Sequence, residues 1–153
     1  MVYTGLGALN WLPDIERWAT AMAQLVAPGG HLYLAEFHPF SWIFADEDLS
    51  VAHPYFHADP LVMEEPGTYA QEGVETEHNR TIEWNAGIGT VVSSIAAAGL
   101  RIELLHEHEE TLFGRWPFLE RDRERIYRLP EGMPSLPLMY SLRAGAEALD
   151  RFE

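Results

Sequence analysis

The chain has 153 residues and a formal net charge of −14, and all ten of its basic side chains are Arg. This charge disfavours nucleic acid, which binds to basic surfaces, and also an anionic membrane surface. Without Lys or Cys, the chain has no Schiff-base lysine, phosphate-loop lysine, disulfide or thiolate metal site. No apolar run is long enough to span a bilayer and no signal peptide opens the chain, so we expect one domain in the cytoplasm.

Residues 3–39 predict a strand, a helix and a second strand. The apolar segment VYTGLGALNWL is followed by PDIERWATAMAQLVA, then by PGG and by HLYLAEFHP. One face of the helix is predicted to be apolar, and its members are Ile15, Trp18, Ala19, Met22, Leu25 and Val26. This order favours a βαβ unit with two parallel strands, whose carboxyl ends are where ligands bind. Residues 4–11 and 36–39 follow the strands and are the first places to look for a site.

Residues 40–85 form a long acidic and aromatic region interrupted by Pro54, Pro60 and Pro66. Long irregular connections are usually functional or disordered, and the many aromatic residues argue against full disorder. We interpret the region as a lid or substrate-binding insertion. Within it, TYA and TIEW are predicted to pair as a hairpin.

The remaining segment contains a helix and two further strands. GIGTVVSSIAAAGL predicts a helix ended by Gly99, and RIELLHEHEE predicts a strand with Ile102, Leu104 and His106 on one side. LERDRERIY predicts a short, solvated helix with paired charges. LMYSLRAGA predicts the last strand.

These segments, in this order, resemble a known family. LGALNWLPDIERWATAMAQLVAPGGHLYLAEFHPF, SSIAAAGLRIELLHEHEE and LPLMYSLRAGA resemble the second half of class I S-adenosylmethionine-dependent methyltransferases. The resemblance implies a partial Rossmann-like α/β fold, with a mainly parallel sheet and an antiparallel last strand. It implies that the strands are the fourth, fifth, seventh and sixth of that fold, side by side. The domain would comprise a βαβ core at 1–39, an insertion at 40–85, and a C-terminal helix with antiparallel strands at 86–153.

The first half of the family pattern is absent from the sequence. Gly5-Leu6-Gly7 lacks the third Gly of the cofactor-binding turn, and the residues after it match the later loop better. No Asp/Asn-Pro-Pro-Tyr follows the first strand, which counts against amino-group methylases of adenine or glutamine. We therefore expect a truncated methyltransferase whose first strand is an open sheet edge. Such an edge invites association, so we expect a homodimer built at this edge or on the uncovered face of the sheet.

The resemblance implies a cofactor site in the loop after the first strand. The candidate S-adenosylmethionine-binding residues are Thr4, Gly5, Leu6, Gly7, Asn10 and Trp11. The alternative is a purely structural role, in which the glycines serve a tight strand-to-helix turn.

Glu36 and His38 end the second strand and are the candidate catalytic residues, with His38 as a general base. A histidine held by Pro39 and aromatic packing is the alternative. Methyl transfer also depends strongly on the alignment of donor and acceptor, so it can proceed without a base.

Two further groups of residues are candidates for a site. His53, His57 and Asp59, and separately His106 with His108, have spacings that occur in metal sites, but we favour no metal. Aromatic residues suitable for an acceptor pocket are Tyr55, Phe56, Trp84, Trp116 and Phe118, for which ordinary core packing is the simpler interpretation.

Two functions follow from these patterns. The first is methyl transfer from S-adenosylmethionine to a small molecule, by a chain that lacks its main cofactor half. The second is a non-catalytic remnant that dimerises or binds a partner.

Overall fold

The computed structural model describes residues 1–45, 47–56, 59–64, 66–67 and 76–148. The described strands are β1 (Val2–Gly5), β2 (His31–Phe37), β3 (Leu61–Glu64), β4 (Arg80–Glu83), β5 (Arg101–His108), β6 (Glu110–Thr111), β7 (Glu120–Arg121), β8 (Tyr127–Arg128) and β9 (Met139–Gly145). The α-helices are α1 (Ile15–Leu25) and α2 (Ile88–Ala97), and two 3₁₀ helices span Leu9–Trp11 and Pro39–Ile43.

The main sheet has the strand order β1-β2-β9-β5. β1 and β2 are parallel, and β9 runs antiparallel to both β2 and β5. β1 and β2 are joined through α1, so the predicted βαβ unit is confirmed. The sheet is therefore mixed: β1, β2 and β5 run in one direction and the last strand, β9, runs opposite to them, which agrees with the α/β architecture that the sequence predicts.

α1 begins and ends where its sequence signals lie. The Asp14 side chain accepts a hydrogen bond from the backbone N–H of Arg17 at 2.8 Å, which satisfies one of the free donors of the first turn. Beyond the helix, Gly29 takes a φ of 71°, a left-handed conformation that favours glycine. The predicted apolar face is buried at Ile15, Trp18 and Ala19, whereas Leu25 is 65% exposed.

One face of the main sheet carries the core. Val91 and Ile95 of α2 pack with α1 onto strand residues that include Leu32, Leu34 and Leu142, and all five of these residues are fully buried. Burying a large apolar side chain contributes roughly 1.5–3 kcal/mol, so this cluster stabilises the packing of both helices on the sheet.

The opposite face of the sheet carries neither α1 nor α2, since both pack into the core cluster. Tyr3 and Tyr33 stack there with ring centroids 6.3 Å apart, and Tyr3 is 56% exposed. Among the described strands, none pairs with the outer edge of β1. The expected open edge is therefore present in the described part of the chain.

The prediction that Ile102, Leu104 and His106 share one side of β5 was wrong. Ile102 is opposite Ala144, whereas Leu104 is opposite Arg143, because a bulge at Glu103 inserts one residue between them. Leu104 and His106 therefore lie on the face opposite to that of Ile102. The Glu103 carboxylate pairs with Arg143 at 2.7 Å, which favours the bulge.

The helix predicted over 119–127 was also wrong. The segment instead forms β7, a tight turn and β8. The Asp122 carboxylate accepts hydrogen bonds from the backbone N–H groups of Glu124 and Ile126, at 2.8 and 3.0 Å, and Arg125 takes a φ of 67°. An Asp that bonds the backbone ahead of it favours a turn over a helix interior.

One strand of the hairpin predicted within 40–85 is confirmed. TIEW overlaps β4, whose partner is β3. The other predicted strand, TYA at 68–70, lies outside the described residues. The division of the chain into one domain with an insertion stays a prediction.

Candidate functional site

The loop that follows β1 turns sharply because two successive residues are left-handed. Leu6 has a φ of 36° and Gly7 a φ of 78°, and the backbone N–H of Leu6 donates to Ala35 O at 2.8 Å. A Cβ on Gly7 would lie 3.1 Å from Cε2 of Phe37. Both the conformation and the close approach of Phe37 therefore require glycine at position 7.

The Glu36 carboxylate holds this loop to the end of β2. It is 3% exposed and accepts backbone hydrogen bonds from Gly7 at 2.6 Å, Ala8 at 2.8 Å and Leu9 at 3.2 Å. Burial raises the pKa of Glu36, while these bonds act to lower it. The two stretches singled out in the sequence thus meet at one point, and the carboxylate connects them.

His38 is buried beside Glu36 along the chain and is 5% exposed. Its Nδ1 accepts from the backbone N–H of Phe40 at 3.1 Å, so Nε2 carries the proton and donates to Oε1 of Glu107 at 2.9 Å. Burial lowers the pKa of His38, and the Glu107 carboxylate acts against that.

Both ring nitrogens of His38 are engaged in this arrangement, and a general base must expose a free lone pair. Its role in catalysis, like that of Glu36, stays a prediction.

The remaining loop residues differ in how they face their surroundings. The Thr4 hydroxyl lies 3.5 Å from Sδ of Met22 and so points toward α1. Leu6 is 43% exposed and Trp11 is 46% exposed. The Gly7 amide is already bonded to Glu36. Leu6 and Trp11 are therefore the loop side chains most available to a ligand at the carboxyl end of β1.

A cavity of about 270 Å³ lies between this loop and the inserted segment. Its walls include Asn10 from the loop, Trp42 from the second 3₁₀ helix, and Glu83 and Trp84 at the end of β4. Two hydrogen bonds join its two sides: Asn10 Nδ2 donates to Oε2 of Glu83 at 3.2 Å, and the backbone N–H of Trp84 donates to Asn10 O at 2.8 Å.

Arg115 forms another part of the wall. Its Nη1 and Nη2 donate to the backbone carbonyls of Ser41 and Phe44, each at 3.1 Å, and its Cζ lies 4.3 Å from the ring centroid of Trp42. The guanidinium thus fixes the 3₁₀ helix and the indole that faces the cavity.

Sequence reasoning identified part of this cavity. Trp84 was a candidate for an aromatic acceptor pocket, with ordinary core packing as the simpler interpretation, and it lines the cavity. Trp116 and Phe118 stack at 5.7 Å in a separate apolar cluster, and Tyr55 Oη accepts from the Ile88 backbone N–H at 3.2 Å. Glu83 and Arg115 were not singled out. The acid that directly precedes a Trp-Asn pair at a strand end was the available signal for Glu83.

The metal hypothesis finds no support among the described residues. His53 and Asp59 line the cavity, but His57 lies outside the described part of the chain. His106 and His108 have ring centroids 6.4 Å apart, and Nε2 of His108 is 2.9 Å from the Ser141 hydroxyl. In the described ranges, no group of three or more His, Asp or Glu residues is placed to hold a metal ion.

Within those same ranges, neither α-helix is long and apolar enough to cross a membrane.

Comparison with known proteins identifies the fold. No protein-family model matches the sequence, and no curated protein matches it. An S-adenosylmethionine-dependent methyltransferase from Mesorhizobium loti is similar in structure, with 17% identity and a TM-score of 0.51, over 94% of this chain and 60% of that one. A Listeria monocytogenes protein assigned to the same class has 12% identity and a TM-score of 0.59, over 95% and 61%.

A third similar structure is a SAM-dependent methyltransferase from Methanosarcina mazei, with 14% identity and a TM-score of 0.50 over 95% and 59% of the two chains. The chain therefore has a class I methyltransferase-like fold. It spans about 60% of the length of these solved structures.

Proposed function

We propose that this chain is part of an S-adenosylmethionine-dependent methyltransferase that acts on a small molecule. The observation that carries the proposal is the position of Asn10. This residue lies in the loop at the carboxyl end of β1, where ligands of such sheets bind, and it also lines the cavity of about 270 Å³. A donor held at the loop and an acceptor held in the cavity would be neighbours.

The described residues fit one part of the cofactor. Leu6 and Trp11 present exposed apolar side chains at the end of β1. The backbone amides of Gly7, Ala8 and Leu9 are bonded to Glu36, so they are not available to the polar groups of the cofactor. When bound, S-adenosylmethionine supplies an electrophilic methyl group. The chain's own residues would shape the cleft around it and exclude water.

Part of the cleft must come from elsewhere in this proposal. The chain spans about 60% of the length of the similar structures, and the outer edge of β1 is open among the described strands. We propose that further strands, from another segment or another chain, pair along that edge and supply the remaining cofactor contacts.

Calorimetric titration with S-adenosylmethionine tests the proposal. We expect measurable binding, and we expect Trp11→Ala to weaken it by about tenfold, because an aromatic stacking surface is worth roughly 1–3 kcal/mol. Phe56→Ala is a matched control, since Phe56 is an exposed aromatic residue outside the loop. Absence of binding at millimolar cofactor, by the chain and by any complex it forms, would contradict the proposal.

A non-catalytic dimerising module is the second candidate. The observation that favours it is the stack of the exposed Tyr3 on the partly buried Tyr33, on the sheet face opposite the helices. Exposed apolar patches on sheets are frequent association sites. Association of the chain without cofactor binding would support this function over the first.

A further inference from the structure

The cavity beside Asn10 has a size that limits its ligand. Its volume of about 270 Å³ lies just below the roughly 300–1,000 Å³ of typical small-molecule sites. A ligand with one ring or a short chain would fill it.

The aromatic side chains in the walls of the cavity favour binding of a cation. Trp42 and Trp84 both line it and are both half-buried. The face of an indole carries a negative potential that attracts ammonium and guanidinium groups. Trp42 already binds one such group, because the Arg115 guanidinium lies 4.3 Å from its ring centroid.

Two carboxylates line the same cavity. Glu83 and Asp59 come from β4 and from the segment before β3. Among the described residues, the neutral amide of Asn10 is the hydrogen-bond partner of the Glu83 side chain, at 3.2 Å. No cation of the described residues is paired with Glu83, so its charge is available to a ligand.

The positive charge of Arg115 does not outweigh the two carboxylates of the cavity wall. Its Nη1 and Nη2 are directed to the carbonyls of Ser41 and Phe44, and its plane lies against Trp42. The whole chain carries a net charge of −14, and such a field concentrates cations and repels anions.

We propose that the cavity binds a small organic ammonium ion, with its apolar part against the two indoles and its nitrogen toward Glu83. The role of that ion as methyl acceptor rests on the function proposed above. The binding itself does not, because every group that makes it belongs to the cavity wall.

The test uses three probes of one shape and different charge. Benzylamine is an ammonium ion at pH 7, benzyl alcohol is neutral and benzoate is an anion. We expect benzylamine to bind about tenfold more tightly than benzyl alcohol, measured by calorimetry or by tryptophan fluorescence. Benzoate is expected to bind more weakly than either. Equal affinities, or a preference for benzoate, would overturn the proposal.

Variants locate the binding group. Glu83→Gln should lower the affinity for benzylamine by about tenfold and leave that for benzyl alcohol unchanged. Glu64→Gln is the matched control, since Glu64 lies in the same hairpin but not in the cavity wall. Asp59 is exposed, so we expect Asp59→Asn to preserve the fold and to weaken benzylamine binding by a few fold. If neither cavity variant affects benzylamine binding, the proposal fails.

The outcome is separable from that of the proposed function, because the titration contains no cofactor. Selective benzylamine binding without S-adenosylmethionine binding would support the ammonium site and count against the methyltransferase. Binding of S-adenosylmethionine with no charge preference in the cavity would support the methyltransferase and count against the ammonium site.

Discussion

Glu36 is a buried carboxylate at the end of β2 that accepts hydrogen bonds from three consecutive backbone amides of the loop after β1. Burying a charge is costly unless hydrogen bonds compensate for lost water, and here each oxygen accepts at least one. The residue therefore acts first as an anchor for residues 7–9. Any part that it takes in catalysis would have to be performed without releasing them.

Glu36→Gln should lower the free energy of unfolding by about 2–3 kcal/mol. The amide NH₂ that replaces one oxygen cannot accept, so at least one buried donor of residues 7–9 loses its partner. Urea denaturation measures the loss. Glu131→Gln at an exposed turn is the control and should change stability little. Equal stability of the two variants would show that the anchor contributes nothing.

His38 gives the protein a pH dependence of known sign. Its pKa in the folded state lies below the ordinary value of 6.5, mainly because of burial. The folded protein therefore binds this proton less tightly than the unfolded chain does, so the stability that His38 contributes is present above pH 6.5. It is lost as the pH falls through the lowered folded-state pKa.

We expect His38→Asn to reduce that loss of stability on acidification. Asn can still accept from the Phe40 amide as a helix cap, but it does not titrate. The raised pKa of Glu36 acts in the opposite direction, so the variant is compared with the wild type at each pH by urea denaturation. His78→Asn at an exposed position is the control. Parallel stability curves for His38→Asn and the wild type would refute the assignment.

Sequence reasoning found these two residues but not their partners. Glu36 and His38 follow an apolar strand and alternate along it, so their position at the site was predictable. The contact of His38 with Glu107 was not, because 69 residues separate them. The bulge at Glu103 also shifts the register of β5, and no residue pattern announces it.

At the scale of elements, the turn between β1 and the first 3₁₀ helix depends on Gly7. Gly7→Ala should destabilise the protein by about 1–2 kcal/mol, because a Cβ is strained at a φ of 78° and contacts Phe37. Gly89→Ala is the matched control. Gly89 lies in α2 with open space around it, and Ala there should be neutral or mildly stabilising. Thermal unfolding compares the two, and similar effects would contradict the role of the turn.

The elements that were predictable are those with a strong period or strong end signals. α1 has an apolar face, Asp14 before it and Gly29 after it, and β2 and β9 are apolar runs bounded by turns. The charged pattern of 119–127 is as compatible with a helix as with the observed hairpin. Its real conformation depends on Asp122 and Arg128, whose side chains pair at 2.6 Å across the hairpin. Local propensity does not encode such a contact.

At the scale of the whole molecule, both α-helices of the described residues lie on the same face of the main sheet. We propose that copies of the chain associate through the β1 edge or the uncovered face, and we expect sedimentation velocity to show a species that grows with concentration. Tyr3→Arg should weaken this association, because it places a charge on the exposed stack. Phe56→Arg, on the inserted segment, should not. A monomer at every concentration would contradict the proposal.

Two hydrogen bonds, from Asn10 Nδ2 to Glu83 and from the Trp84 N–H to Asn10 O, connect the β1 loop to the wall of the cavity. If an occupant of the cavity changes the affinity of the β1 loop for a second molecule by some factor, the second molecule must change the affinity of the first by the same factor. Titrations in which the two molecules are added in either order would therefore give the same cooperativity constant. Any obligatory order in the kinetics would then reflect access to the site, since equilibrium coupling has no preferred direction.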